Sequence, residues 1–293
     1  MVNIHLTLDR NEYAAGETAK GTLVISAEKD FKVRGFEFSV SGEERVEIKL
    51  EDSTYKESSI FFSKDFSHSL NSLGTKVVRD DGNDIVLEVA GGNCKVPFEF
   101  TIPVYALESY EGEYAKIVYK IKAAVNRVWR EDVGANLSFI VFNRKRQYMK
   151  FERAITEEII EKRESPIRLE LEEEDNDDDN NTFSPGETIR GKITIENSKK
   201  LNIRKIEVIL GAIEFVQAQG VKKRTEIHPK YKEKIEWNEV DDNSSVVPFQ
   251  MHIPKEIRRS YLGEYSEYYC LLEAKVDIPW SDDLYDRAII QIV

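Results

Sequence analysis

Alternation of apolar and polar side chains dominates this chain and predicts antiparallel β-strands with one buried face and one solvent-exposed face. It is clear in residues 4–8 (IHLTL), 36–40 (FEFSV) and 167–171 (IRLEL). Turn-forming residues such as Ala15-Gly16 separate these runs at intervals typical of β-sandwiches, and long helical periodicity is absent over most of the chain. The pattern therefore predicts an all-β protein.

Two blocks of this pattern occur twice in the same order. YAAGETAKGTLVI at residues 13–25 returns as FSPGETIRGKITI at 183–195, and residues 96–125 return as 247–276. Ordered repetition of this kind is the signature of a duplicated structural unit. The sequence predicts two tandem copies of one β-sandwich domain.

Alignment of the copies sets the expected domain boundaries. The first domain spans residues 1–142 and the second spans 166–293. Residues 143–165 join them as a charged linker, whose apolar positions fit either a short surface helix or a strand along one domain.

The copies differ in length at two places. The second copy carries an acidic insertion within residues 172–180 (EEEDNDDDN), and the first copy is longer within residues 52–93. The serine and glycine content of residues 52–93 predicts a long loop there, and such a loop is a natural place for a variable contact surface.

The repeated residues form an ordered set of short motifs, and this set resembles the arrestin family over nearly the whole chain. The motifs of the first copy are Tyr13-x-x-Gly16-Glu17-x-x-x-Gly21, Val33-Arg34-Gly35-Phe36-Glu37, Val96-Pro97-Phe98-x-Phe100-x-Ile102-Pro103, Glu108-Ser109-Tyr110-Glu111-Gly112, Tyr119-x-Ile121-x-Ala123 and Asn126-Arg127-Val128-Trp129. Those of the second copy are Pro185-Gly186-Glu187, Val247-Pro248-Phe249, Ser260-Tyr261-x-Gly263 and Asp277-Ile278-Pro279-Trp280.

The resemblance implies two arrestin-type, immunoglobulin-like β-sandwiches and a non-enzymatic adaptor or scaffold. Arrestins bind membrane-receptor tails, trafficking proteins or signalling partners. The opening strand Val2–Leu8 lacks the lysine pair that senses receptor phosphates, and no Pro-Pro-x-Tyr motif is present. The chain also ends at its last predicted strand, so we expect no tail that binds clathrin machinery. These departures place the expected likeness nearer the prokaryotic sporulation-control and retromer cargo-adaptor branches.

The repeated residues also carry specific structural predictions. Gly16 and Gly186 suit tight turns that need a positive φ. Gly21 and Gly191 precede strands, where a missing side chain allows a close backbone approach or a bulge. We expect prolines 97, 103, 248 and 254 at edge strands or strand ends, and Trp129 and Trp280 as packing aromatics.

Composition limits the class of binding partner and indicates the cellular compartment of the protein. The chain has 293 residues and a formal net charge of −12, which argues against general binding to nucleic-acid phosphates. No secretory signal or apolar stretch long enough to span a membrane is recognisable in the sequence. Cys94 and Cys270 do not match between the copies, so we expect two buried thiols in a reducing, cytoplasmic compartment.

The sequence contains no recognisable catalytic or cofactor motif. Nucleophile-elbow, Walker and dinucleotide glycine patterns are absent, and the four histidines lack metal-ligand spacing. The acidic residues 172–180 could hold calcium, but they lack the glycine of an EF-hand loop, which favours a solvated loop. We therefore expect a protein that is not an enzyme and has no cofactor.

Three basic clusters are the candidate partner sites on this acidic chain. They are Arg144-Lys145-Arg146 in the linker, Lys222-Lys223-Arg224 in an expected hairpin, and Arg258-Arg259 in a loop. An acidic peptide or an anionic lipid headgroup is the expected ligand, so peripheral membrane association stays open. A carbohydrate- or lipid-binding β-sandwich module is the alternative function, an enzyme with a site at the domain interface is a further one, and the oligomeric state is open.

Overall fold

The computed structural model describes residues 1–73, 76–79, 85–128, 130–143, 166–172, 181–196, 198–237 and 245–293. The chain divides into two compact units, drawn mainly from residues 1–144 and 145–293, and each is described by itself. The predicted linker 143–165 lies outside the described residues except for Asn143.

The first part of the chain folds into eleven strands and one short helix within the described residues. They are β1 (Val2–Leu8), β2 (Glu12–Ala14), β3 (Thr18–Ala27), β4 (Phe31–Leu50), β5 (Ser53–Asp65), α1 (Ser67–Asn71), β6 (Lys76–Arg79), β7 (Ile85–Val89), β8 (Gly92–Thr101), β9 (Tyr110–Glu111), β10 (Ala115–Arg127) and β11 (Val133–Phe142). A three-stranded sheet has the order β1-β3-β8. A larger sheet has the order β2-β11-β10-β4-β7-β6, with β5 paired to β4 and β9 to β10.

The second part repeats this arrangement with fewer strands. Its elements are β12 (Ile167–Leu171), β13 (Thr182–Phe183), β14 (Thr188–Ile195), a 3₁₀ turn (Ser198–Lys200), β15 (Lys205–Ala218), β16 (Val221–Glu236), β17 (Val246–His252), β18 (Tyr261–Leu262), β19 (Ser266–Asp277) and β20 (Leu284–Ile292). The sheets have the orders β12-β14-β17 and β13-β20-β19-β15-β16, with β18 paired to β19. The prediction of two tandem β-sandwiches is confirmed.

The prediction of a long loop within residues 52–93 is wrong. Residues 53–65 form β5, which pairs with β4 as a long hairpin, and α1, β6 and β7 follow. β5 carries Ile60, Phe61 and Phe62 among its serines, and such β-branched and aromatic residues favour a half-buried strand. The first copy is thus longer because it contains extra secondary structure.

The turn glycines of the repeated motif make the same contacts in both copies. Gly16 and Gly186 adopt φ values of 87° and 90°. Each donates its N–H at 3.0 Å to the residue that follows β8 or β17, namely to Ile102 O and Ile253 O. The predicted positive φ is confirmed.

Gly21 and Gly191 lie under phenylalanine rings in the three-stranded sheets. A Cβ on Gly21 would stand 2.4 Å from the Phe98 ring, and one on Gly191 would stand 2.7 Å from the Phe249 ring. The backbone carbonyls of Thr7 and Glu170 would stand 2.4 and 2.5 Å from these Cβ atoms, so the predicted close backbone approach is confirmed. The predicted position before the strands is wrong, because both glycines lie within strands, β3 and β14. The Phe98 ring also meets Phe38 edge-on, at 5.0 Å between centroids, in the core of the first copy.

The predicted proline positions are confirmed as well. Pro97 lies on β8 and Pro248 on β17, and both strands are sheet edges. An edge strand tolerates proline because one row of its backbone groups has no ladder partner. Pro103 and Pro254 each lie two residues beyond the ends of these strands.

The two cysteines are free thiols, but they differ in burial. Cys270 is fully buried on β19, as predicted, and burial raises the pKa of its thiol to about 12. The prediction of a buried Cys94 is wrong: it is only half-buried, because it lies on the edge strand β8.

Candidate functional site

The cluster Lys222-Lys223-Arg224 lies at the start of β16, directly after a two-residue hairpin turn. Gln219 and Gly220 form this turn with φ values of 50° and 82°, and Ala218 pairs with Val221 across it. Two consecutive positive φ values match the type I′ turn that joins strands most tightly. The predicted hairpin is confirmed.

Strand alternation separates the three cations of this cluster. Lys222 and Arg224 stand opposite Gln217 and Phe215, on the face of the β15–β16–β19–β20 sheet that points away from the sandwich core. We call this the outer face. Lys223 stands opposite the buried Val216 and therefore points to the other face. The cluster is thus not one continuous basic patch.

Arg224 is half-buried, whereas Lys222 is exposed. The Arg224 guanidinium lies near the side chain of Tyr269, which is fully buried on β19. Burial raises the pKa of Tyr269 to about 12, and the nearby Arg224 guanidinium acts in the opposite direction. Lys223 and Arg224 are both half-buried, which leaves Lys222 as the exposed cation of the three.

Further cations follow along β16 on the same outer face. Lys232 and Lys234 pair with Ile209 and Glu207 of β15, and both are exposed. Lys234 also forms an ion pair with Glu236. Together with Lys222, these side chains make β16 a basic edge strand, and exposed lysines are a common means of discouraging unwanted strand pairing.

Ion pairs order the outer face between β15, β19 and β20. Arg287 lies 2.6 Å from Glu273, and Lys205 lies 2.7 Å from Glu207. The hydrogen bond from Lys205 holds the pKa of Glu207 below its ordinary value. On β16, the hydrogen bond from Lys230 does the same for Glu226.

The other two basic clusters have different outcomes. Arg144, Lys145 and Arg146 lie outside the described residues. Arg258 and Arg259 lie in the loop between β17 and β18, where Arg258 is exposed and Arg259 is half-buried.

The prediction that Trp280 packs in the core is wrong. Its side chain is 103% exposed, and its φ of 66° lies in the left-handed region. Ser281 donates its N–H to the Ile278 carbonyl at 3.2 Å, so residues 278–281 form a turn with Pro279 and Trp280 at its centre. Its equivalent, Trp129, lies outside the described residues. The signal for exposure was available, because Trp280 is followed by the polar run Ser281-Asp282-Asp283.

Sequence reasoning also missed a cleft on the outer face. It is a shallow, open cleft around Gly211, with Ile209, Ile213 and Leu271 at its floor and Glu226, Lys230 and Glu273 also lining it. The available signal was a lone glycine inside the apolar run Val208–Ile213, since such glycines mark bulges or sites of close approach.

Within the described ranges, no group of three or more His, Cys, Asp or Glu side chains could hold a metal ion. Of the acidic residues 172–180, only Glu172 belongs to those ranges. In the same part of the chain, no helix has both the length and the apolar character needed to cross a membrane.

Comparison with known proteins gives matches in both halves of the chain. Residues 2–146 match the family model "Arrestin (or S-antigen), N-terminal domain", and residues 179–289 match "Arrestin (or S-antigen), C-terminal domain". The chain is also 26% identical over 133 residues to Arrestin domain-containing protein 17 of Caenorhabditis elegans. That match covers 44% of this chain and 31% of the worm protein, so it spans less than a third of the relative's length.

Proposed function

Because the chain belongs to the arrestin family, as its matches to both arrestin domains show, we propose that it is a non-enzymatic adaptor that binds protein partners in trafficking or signalling. Two observations support this proposal: both copies retain the arrestin frame, and the sequence has no catalytic motif. We propose a cytoplasmic location, where free thiols such as Cys94 and Cys270 persist. We also propose the domain boundaries 1–142 and 166–293, joined by residues 143–165.

The basic outer face of β16 is the observation that supports a partner-binding surface at this place. Lys222, Lys232 and Lys234 are exposed on this one face, although the whole chain has a net charge of −12. A local positive surface on an acidic protein steers acidic partners to one place. We propose that acidic protein segments dock here. Arg144, Lys145 and Arg146 are a second proposed contact, on the strength of their charge alone.

Charge reversal tests this surface. The variant Lys222→Glu/Lys232→Glu/Lys234→Glu should lose the partners that copurify with the wild-type protein from its native cell, as measured by quantitative mass spectrometry. Lys20→Glu/Lys32→Glu/Lys95→Glu is the matched control, because it changes three exposed lysines elsewhere by the same total charge. Loss of the same partners in both variants would contradict a specific surface.

Two further measurements separate adaptor function from the alternatives. Liposome flotation and glycan arrays test a lipid- or carbohydrate-binding module. Binding of vesicles or glycans by the triple-Glu variant at wild-type strength, with no partner protein retained by the wild type, would contradict the adaptor proposal.

A further inference from the structure

The cleft on the outer face exists because of Gly211. Its floor consists of Ile209, Gly211 and Ile213 on β15 and Leu271 on β19, which pairs with Gly211. The three large side chains are nearly buried, with 8%, 2% and 6% exposure, so they form the base of a depression. A side chain at position 211 would fill this depression.

A bulge on the neighbouring strand widens the cleft. Leu210 pairs with Tyr231 and Ala212 with Ile227, so three residues of β16, 228–230, stand opposite Gly211 alone. The extra residues carry the strand away from β15 at this point. The cleft therefore has a gap on its β16 side, and the Lys230 side chain lies beside that gap.

Nothing within the described fold requires glycine at this position. Its φ is outside the left-handed region, and a Cβ there would meet only the Lys230 methylenes, at 3.8–4.0 Å, which is ordinary contact. Gly191 differs, since a Cβ there would clash with the Glu170 carbonyl at 2.5 Å. Glycine in a strand interior costs about 0.5–1 kcal/mol relative to alanine. An open cleft is what this glycine provides.

The rim of the cleft is charged and favours an acidic neighbour. Lys230 forms an ion pair with Glu226, and Arg287 forms one with Glu273, so these two carboxylates and two cations balance each other. Lys232 stands exposed next to Ile209 on the β16 side. Carboxylates that approach the cleft along β16 would meet Lys232, and charge-assisted hydrogen bonds to lysine are strong.

We propose that the cleft at Gly211 binds one aliphatic side chain of an extended partner segment whose neighbouring residues are acidic. The aliphatic group replaces the missing side chain above Ile209, Ile213 and Leu271, and the flanking carboxylates pair with the lysines of β16. This inference rests on the proposed adaptor function and adds the chemistry of its partner.

Methyl NMR of the full chain with three pentapeptide probes tests the proposal. Acetyl-Asp-Asp-Leu-Asp-Asp-amide should shift the methyl resonances of Ile209, Ile213 and Leu271 in a saturable way. The same peptide with serine in place of leucine should bind at least about tenfold more weakly, because burial of a leucine side chain is worth more than that factor. A peptide with leucine between lysines should bind more weakly by a similar factor. Equal binding of the serine or the lysine peptide would overturn the proposal.

Filling the cleft provides the matched variant. Gly211→Leu should abolish the shifts caused by the acidic leucine peptide, whereas Gly35→Leu, at a strand position with open space around it among the described residues, should leave them intact. If Gly211→Leu fails to fold, Gly211→Val serves the same purpose. The comparison of the serine and leucine peptides on the wild-type protein tests the proposal without any variant. Unchanged binding to a folded cleft-filled variant would refute the cleft. Partners that copurify normally with such a variant would leave the adaptor function standing while the cleft proposal fails.

Discussion

Ser260 accepts a hydrogen bond from the Ile292 backbone N–H on its side-chain oxygen at 3.0 Å, and its own N–H donates to the Ile292 carbonyl at 2.8 Å. In the first copy Ser109 forms the same pair of bonds with Val141, at 2.9 and 2.8 Å. The serine thus satisfies the backbone groups of a residue at the end of the last strand of each copy. This contact explains why the Ser-Tyr motif recurs.

Replacement of this serine should destabilise the protein. Ser260→Ala removes the acceptor for the N–H of Ile292, a residue with no solvent exposure. A buried N–H left without a partner costs about 1–3 kcal/mol, and the free energy of unfolding in denaturant should fall by that amount. Ser245→Ala is the control, because Ser245 is exposed and uses only its backbone carbonyl, towards Ile195 N–H. Equal stability of the two variants would count against the role of the Ser260 hydroxyl.

The two strand glycines should respond oppositely to alanine. In Gly191→Ala the new Cβ would stand 2.5 Å from the Glu170 carbonyl and 2.7 Å from the Phe249 ring, so the sheet must shift. We expect a loss of about 1–3 kcal/mol in the free energy of unfolding. Gly211→Ala should be neutral, or stabilising by up to about 1 kcal/mol. Alanine lowers the conformational entropy of the unfolded chain, and its Cβ meets no clash at this position. A destabilised Gly211→Ala with a tolerated Gly191→Ala would reverse our interpretation of both sites.

Features that depend on the local backbone were predictable from the sequence. The turns at Gly16 and Gly186 and the close approach at Gly21 and Gly191 follow from what glycine alone allows, and repetition pointed to them. The Ala218–Val221 hairpin was predictable because its turn residues carry their own conformational preference.

Features that depend on tertiary placement left only partial signals in the sequence. The burial of Trp280 was mispredicted because its exposure is set by a turn beyond the sheet, where no partner among the described residues covers the ring. The cleft was missed because it needs both Gly211 and a bulge on a different strand, and only pairing register brings these together. The extra strands β6 and β7 were missed because they are short and their neighbours in the sequence are polar, which favoured a loop.

Trp280 should contribute little to stability. Trp280→Gly replaces a residue at a φ of 66° with one that adopts this conformation freely, and the relief of about 1 kcal/mol offsets the greater chain entropy of glycine. The melting temperature should therefore stay the same or rise slightly. Trp280→Ala, which keeps the left-handed strain, should not exceed Trp280→Gly in stability. A loss of about 3 kcal/mol in Trp280→Gly, the usual effect of truncating a buried tryptophan, would mean that the ring packs after all.

Asp283 should make the stability of the second domain depend on pH in the acidic range. Lys275 lies 2.8 Å from its carboxylate, and the Ile278 N–H donates to it at 3.3 Å. The hydrogen bond from Lys275, as the largest cause, holds the pKa of Asp283 below its ordinary value of 3.8. Because the folded state binds the proton less readily than the unfolded state, the stabilisation is fully present above the ordinary aspartate pKa and is lost as the pH falls through the lowered value.

Asp283→Asn removes this dependence. The variant should be less stable than the wild type by about 1 kcal/mol at pH 7, and the gap should close as the pH falls below about 4. Denaturant unfolding at a series of pH values measures both quantities. The control is Asp282→Asn, whose side chain is exposed at the neighbouring position and should behave like the wild type across the series. A constant gap between Asp283→Asn and the wild type down to pH 2 would show that the hydrogen bonds of Asp283, and not its charge, stabilise the turn.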